Sequence, residues 1–370
     1  MRRVRFSDVV KRVNVFVDQH NTDLLYYVGG EHMDSCELKV SGKGLINGST
    51  IGYKFHFGFQ PGHILFGSRN PHLRKCSMVD FSGICSDSTY VVETRDSNAL
   101  DQRYLLIEMQ SNRFWDWAEE NKSGSVNYLI NYCTLDEYEF DLPPIERQRE
   151  LANLLWAAND LKESYKKAIT ATDEMLKAKF REMFGAVEHV KLAEIAAMWL
   201  KGQPFRKDEM VCGGKTLCIH YGELFTKYGP IISDVVSTTN ADIVKKSRRG
   251  DILFPASDVT PNGLTKCSAL MIDDVLLGGD IIVLRPKKGI VPEYLSFAIC
   301  SEPDQMLKCV TGGLIKHISA KAIKGVTIPL PPLSLQREFV AIAERADAAK
   351  SALKQSIADI DQVMKGLING

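Results

Sequence analysis

The chain has 370 residues, 45% of them hydrophobic and 25% charged, and its 46 basic side chains balance 46 acidic ones. That length holds two domains of ordinary size, and the composition is that of a globular protein rather than a disordered or fibrous one. No apolar run reaches the roughly 18–20 residues that span a bilayer, and zero net charge argues against a protein that simply coats nucleic acid.

The basic start, MRRVRFSDVVKRV, has neither the apolar stretch nor the small-residue cleavage site of a signal peptide, so a cytoplasmic protein without membrane contact is expected. VRFSDVV (4–10) opens a mixed region in which PGHILF (61–66) and STYVV (88–92) are short strand candidates bounded by Gly, Pro and Asp. Residues 101–120 read as helix. YEFDL (138–142) alternates apolar and polar with period two, which predicts a strand that stops at Pro143 and Pro144. Beyond them Leu154, Ala158, Leu161, Tyr165, Ala168, Thr172 and Met175 step by three and four, with Ile169 and Leu176 widening the stripe, so a long helix follows.

VKLAEIA (190–196) opens a second mixed region with strand candidates in RGDILF (249–254) and DIIVL (280–284). Helix over 292–308, the strand VTIPL (326–330) and a last long helix come next. The stripe of that helix, Phe339, Ile342, Ala346, Ala349, Leu353, Ser356, Ile360, Val363 and Leu367, runs for four heptads.

The second region repeats the first. LPPIERQREL (142–151) and LPPLSLQREF (330–339) share six of ten residues, and Pro331 follows Pro143 by 188 positions. PGHILF and RGDILF keep that spacing, residues 123–144 and 311–332 align at it without a gap, and VRFSDVV and VKLAEIA lie 186 apart. Neither long helix can bury its stripe alone, so the two are expected to pair. The expected fold class is α+β: two globular domains, 1–142 and 186–330, joined by two long helices, 143–185 and 331–370, that form an antiparallel coiled coil in a pseudo-two-fold internal repeat.

Catalytic signals are missing. No GxGxxG follows a strand, and there is neither an HExxH nor the N/D-P-P-Y/F type of motif of a base methyltransferase. GGKT (213–216) has Glu209 where a phosphate loop needs its first glycine and reads as a turn; Asp87, Glu93 and Arg95 lack the lysine of a nuclease cluster. Nine scattered cysteines without a CxxC pair read as free, mostly buried thiols, and Cys218 and His220 have no second pair at zinc spacing. Neither a catalytic residue nor a metal or cofactor is expected on this chain.

Two dissimilar globular regions, each followed by a similar long helix opened through an LPPxxxQRE join, resemble the specificity (S) subunit of type I restriction–modification systems. The resemblance runs from VRFSDVV to the last helix, and its motifs are the GDILF-type segment and the proline–glutamine join, each present twice; the first copy has His63 where the second has Asp251. It implies two target-recognition domains, each reading half of a split sequence in double-stranded DNA. It further implies that the helices, with Leu154, Leu161, Tyr165, Met175, Phe339, Ile342, Leu353 and Ile360 as coiled-coil and subunit-binding positions, hold two methyltransferase (M) subunits. Restriction (R) subunits would join for cleavage, and S-adenosylmethionine, ATP and magnesium would belong to those partners. An S-like subunit of another DNA methylase or nuclease system, and a coiled-coil scaffold for proteins alone, are the rival classes.

On that resemblance the contacts fall in loops. After ILF, GSRNPHLRK (67–75) offers Arg69 and Asn70 to guanine and adenine edges and His72, Arg74 and Lys75 to phosphates; the alternative is a loop that is merely solvated. Its counterpart PASDVTPNGLTK (255–266) offers Ser257, Thr260, Asn262 and Lys266. A second shared loop has Gly124, Ser125 and Asn127 in one copy and Gly312, Gly313, Lys316 and His317 in the other, glycine permitting close backbone approach. Charge is segregated too: residues 305–337 hold four lysines, an arginine and a histidine with no acid, and KKSRR (245–249) is a further basic run. Because the loops differ between copies, an asymmetric bipartite target is expected.

Overall fold

A computed structural model describes residues 2–370. The chain divides into two compact units, one running to Lys167 and resuming at Leu353, the other spanning Ala168–Ala352. Helices and strands are mixed in both, so the fold is α+β.

In the first unit Arg2–Arg5 pairs antiparallel with Glu139–Leu142, Val4 opposite Phe140, which zips the lead-in strand to the strand that leaves the globular part. Between them lies a four-stranded sheet in the order Val10–Arg12, Thr89–Thr94, Ile64–Gly67, Cys76–Met78. A five-stranded sheet follows the order Val15–Phe16, Phe55–Phe59, Gly83–Ser86, Tyr26–Val28, Gly44–Leu45. The ILF motif is buried on both faces. Ile64 and Phe66 point into the main core beside Phe114 and Trp115, while Leu65 points into a second core with Phe59 and Val91. Period-two alternation across two cores explains three consecutive apolar residues in one strand.

The second unit repeats the scheme. His189–Lys191 pairs with Thr327–Pro329, Val190 opposite Ile328. Its five-stranded sheet runs Ala196–Lys201, Ile281–Pro286, Asp251–Pro255, Ser268–Leu270, Ile231–Ile232. Ile252 and Phe254 face one core and Leu253 the other, as in the first copy. Gly213, at φ 71°, lies in the turn before the strand Thr216–Ile219, so GGKT is a turn. The helical stretches expected over 101–120 and 292–308 are each two helices. Ser111 ends Gln102–Gln110 and caps Asn112–Glu120 by accepting the Phe114 N–H, and Pro303 opens Pro303–Lys308 after Pro292–Cys300.

The long helices are Ile145–Phe184 and Leu333–Asn369. Within the second unit they run antiparallel: Lys350 Nζ meets Asp173 at 2.7 Å, and the Phe180 and Phe339 rings lie 5.2 Å apart, so one helix advances as the other recedes. The seam of the second helix is close to expectation, with Phe339 buried and Ile342, Leu353 and Ile360 half-buried; Met364 rather than Val363 is inside. In the first helix the expected stripe is displaced by one residue. Leu154, Leu161 and Met175 are 53%, 45% and 54% exposed and Tyr165 is half-buried, whereas Leu155, Asn159, Lys162 and Leu176 are buried. Two seam positions are polar, which broke the apolar pattern. Lys162 is buried because its ammonium meets Glu37 at 2.9 Å and Asp361 at 2.8 Å, and burial of a cation is tolerated only with such pairing.

All nine cysteines are free thiols, and six of them are buried or half-buried. Among the described residues no helix is long and apolar enough to cross a membrane, and no group of three metal-ligating side chains is present.

Candidate nucleic-acid interface

Each unit brings the two loops singled out in the sequence into contact, through the same backbone bonds. In the first unit the Ile130 N–H donates to the Ser68 carbonyl at 2.9 Å, the next residues, Arg69 and Leu129, form a β-bridge, and the Asn70 N–H donates to the Tyr128 carbonyl at 2.8 Å. In the second unit the Ile318 N–H donates to Ala256 at 3.0 Å, and Ser257–Asp258 pairs with Lys316–His317. Each of these contacts recurs 188 residues later. The second loop is a small hairpin in both copies. Ser123 and Leu129 exchange two backbone bonds of 2.8 and 3.0 Å, and Thr311 and His317 exchange two of 2.9 and 2.8 Å. The turn requires glycine: Gly124 and Gly312 have φ of 98° and 101°, and a Cβ on either would strike the carbonyl oxygen of Asn127 or Ile315.

Around this joint the expected contact residues divide into two groups. Arg69, His72, Ser125 and Asn127 are exposed, and no hydrogen bond or ion pair holds their side chains among the described residues, so they are available to a ligand. Asn70 is half-buried in a left-handed conformation, φ 52°. Arg74 and Lys75, expected on phosphates, are engaged internally. The Arg74 guanidinium donates to Asn112 Oδ1 at 2.7 Å with Asp116 at 3.8 Å, and Lys75 Nζ donates to the Gly30 carbonyl at 2.6 Å. Both cations brace the loop.

In the second unit Ser257 is buried, its Oγ 3.1 Å from His317 Nδ1, so this pair locks the joint. The Thr260 hydroxyl donates to Asp258 at 2.8 Å and Lys316 Nζ donates to the Gly312 carbonyl at 3.1 Å, while Asn262 is exposed. Lys266 stands apart and lines a cleft of about 760 Å³ with Phe180, Phe297 and Cys300. The KKSRR run is also anchored: Lys245 donates to the Lys201 carbonyl at 3.2 Å, Lys246 pairs with Asp274 at 3.4 Å, and Arg249 donates to the Met271 carbonyl at 2.7 Å.

Three features escaped the sequence. Val126 and Leu314 project from the two hairpin tips. Exposed Phe16 stacks on His56 at 4.6 Å, on the sheet whose strand Phe55–Phe59 follows Lys54; the Lys54 carbonyl accepts the Asp87 N–H, and the neighbouring Ser88 carbonyl accepts the Ser68 N–H at 2.9 Å. Behind the first joint Arg12 lies 4.6 Å over the Tyr90 ring, and the Tyr90 hydroxyl donates to the Ile130 carbonyl at 3.0 Å. Burial pushes the Tyr90 phenol above its ordinary range, which keeps it a donor at neutral pH. The arrangement offers a fixed backbone and exposed side-chain donors, the kinds of group that phosphate and base-edge contacts use.

Residues 186–362 match the family model described as the type I restriction modification DNA specificity domain. The type I restriction enzyme EcoDI specificity subunit of Escherichia coli is 28% identical over 151 residues, 41% of this chain but only 32% of that subunit, so the match spans about a third of its length. The type I restriction enzyme MjaVIII specificity subunit of Methanocaldococcus jannaschii is 21% identical over 98% of this chain and 89% of its own. The crystal structure of the type I restriction–modification S subunit from M. genitalium superposes with a TM-score of 0.61 over 99% of this chain and 94% of that one, at 15% identity, which establishes a shared fold. The second half of the chain thus resembles the type I restriction–modification DNA specificity domain, and the whole chain shares the fold of a type I S subunit.

Proposed function

We propose that this chain is the sequence-recognition subunit of a type I restriction–modification complex. It binds double-stranded DNA at an asymmetric bipartite target and carries methyltransferase and restriction subunits, with catalysis left to those partners. The observation that carries this reading is the repeated joint. Identical backbone bonds at Ser68–Asn70 with Tyr128–Ile130 and at Ala256–Asp258 with Lys316–Ile318 present different side chains, Arg69 and Asn127 in one unit, Asn262 and His317 in the other. A common frame with different donors is what two half-sites of different sequence require.

The exposed flank of the first long helix, Leu154, Leu161 and Met175, supports the carrying role, because it leaves an apolar strip for a partner helix. In this reading the globular domains 1–142 and 186–330 recognise DNA, and the helices 143–185 and 331–370 carry the partner subunits. The test is co-expression with the accompanying methyltransferase, followed by purification and sequencing of methylated DNA. A stable complex that methylates one split sequence is expected. A chain that retains no methyltransferase and no duplex preference overturns the proposal.

A further inference from the structure

We propose that Val126 and Leu314 are specificity-determining side chains, each pressed from a hairpin tip against base edges in a groove of duplex DNA. The inference rests on the DNA-recognition reading above and assigns it residues outside the polar set. Val126 is 83% exposed and Leu314 91%, the two most exposed large hydrophobic side chains among the described residues. They occupy the same place, 188 positions apart, each two residues after the left-handed glycine of its hairpin.

The fold gains nothing from an aliphatic residue there, since neither side chain is covered and the turn is made by Gly124 or Gly312 and the paired backbone bonds. The hairpin is nevertheless held firmly, by its own two bonds and by those to the Ser68–Asn70 or Ala256–Asp258 segment, so the tip is a pre-set probe. An aliphatic group reads DNA in two ways: contact with the thymine methyl in the major groove, or wedging against a base step.

Duplex DNA is favoured over a protein surface by what surrounds the tips. Residues 121–135 carry Lys122 and no acid; Lys122 Nζ lies 4.3 Å over the Tyr128 ring and pairs with Glu119, outside the hairpin, at 2.6 Å. Residues 305–337 carry four lysines, an arginine and a histidine and again no acid. In the second unit Ile315, 52% exposed, adds to the tip. One or two aliphatic side chains among donors and cations fit a groove lined by phosphates, whereas a protein interface has a contiguous apolar centre.

The test uses the full chain, purified with its methyltransferase subunits, and a library of randomised duplexes from which bound sequences are recovered. Val126→Ser is expected to relax one or two positions of one half-site and Leu314→Ser one or two of the other. Each should lower discrimination between target and random duplex about tenfold, with melting temperature unchanged and Val126→Ile close to the parent. A selective parent with variants that select identically overturns this inference alone. Variants that select as the parent does but lose the methyltransferase make the tips protein contacts and also overturn it. A parent without sequence preference removes the recognition reading beneath it.

Discussion

Gln148 and Gln336 hold the same two-way contact 188 residues apart. The carboxamide N–H of each donates to the first proline carbonyl of its own join, Pro143 or Pro331, at 2.8 Å. Its oxygen accepts a backbone N–H from the head of a domain helix, Asp101 or Val291, at 2.9 Å. Both side chains are buried. The glutamine of the repeated join thus fastens each long helix to its own globular part. Replacing either by leucine strands a buried backbone donor and is expected to cost about 2–3 kcal/mol, lowering the melting temperature by several degrees in calorimetry. A shift under about 1 °C would contradict the assignment.

Asp251, where the first copy has His63, is buried and takes two bonds from Arg285, at 2.7 and 2.8 Å, plus the Arg248 N–H at 2.8 Å. Asp251→Asn leaves the Arg285 charge half-satisfied. Since Arg285 keeps some exposure, the expected loss is about 2–3 kcal/mol, below the full cost of breaking a dry ion pair. Urea unfolding reads it directly, and an unchanged midpoint would show that the pair is not structural.

Acid should loosen the fold through two histidines. Burial lowers the imidazole of His63 below its ordinary value of 6.5, with Glu93 and Lys11 as its charged neighbours, and burial lowers His220 likewise, beside Glu223 and Lys207. Their Nδ1 atoms accept the Gln60 and Gly222 N–H groups, at 3.1 and 3.3 Å, which a protonated ring cannot do. The unfolded chain takes up these protons near 6.5 and the folded chain only at lower pH, so stability falls as pH drops below 6.5. The urea midpoint should drop from about pH 7.5 to about 5.5, and His63→Asn with His220→Asn should reduce that drop. An equal drop in the double variant would assign it to other groups.

Much of this architecture was legible in the sequence because a repeat that closes the same contacts must keep the same spacing. The offset that aligned the two joins also aligns the Arg69–Leu129 and Ser257–His317 contacts. What was hidden depended on partners distant along the chain. Arg74 and Lys75 read as phosphate ligands, but Asn112 and Gly30 occupy them. The helix seam slipped by one residue because Asn159 and Lys162 are polar yet buried, which only the positions of Glu37 and Asp361 explain for Lys162. Val126 and Leu314 look like core residues until the hairpin shows them outside.

Among the first loop's cations Arg69 alone is exposed and unheld by a side-chain contact among the described residues. Arg69→Ala is expected to weaken target binding by roughly 1–3 kcal/mol and to relax one base position without changing the melting temperature. Arg74→Ala should instead lower stability, because it releases Asn112 and Asp116. The opposite pattern, with Arg74 governing base preference and Arg69 governing stability, would reverse these roles.

The central claim is that two globular units read two half-sites independently from one repeated frame. Exchange of residues 1–142 for the corresponding region of a relative, in cells that supply the methyltransferase, followed by methylation-sensitive sequencing, tests it most directly. The account predicts a new sequence in one half of the methylated target and the original sequence in the other. Simultaneous change in both halves would contradict it.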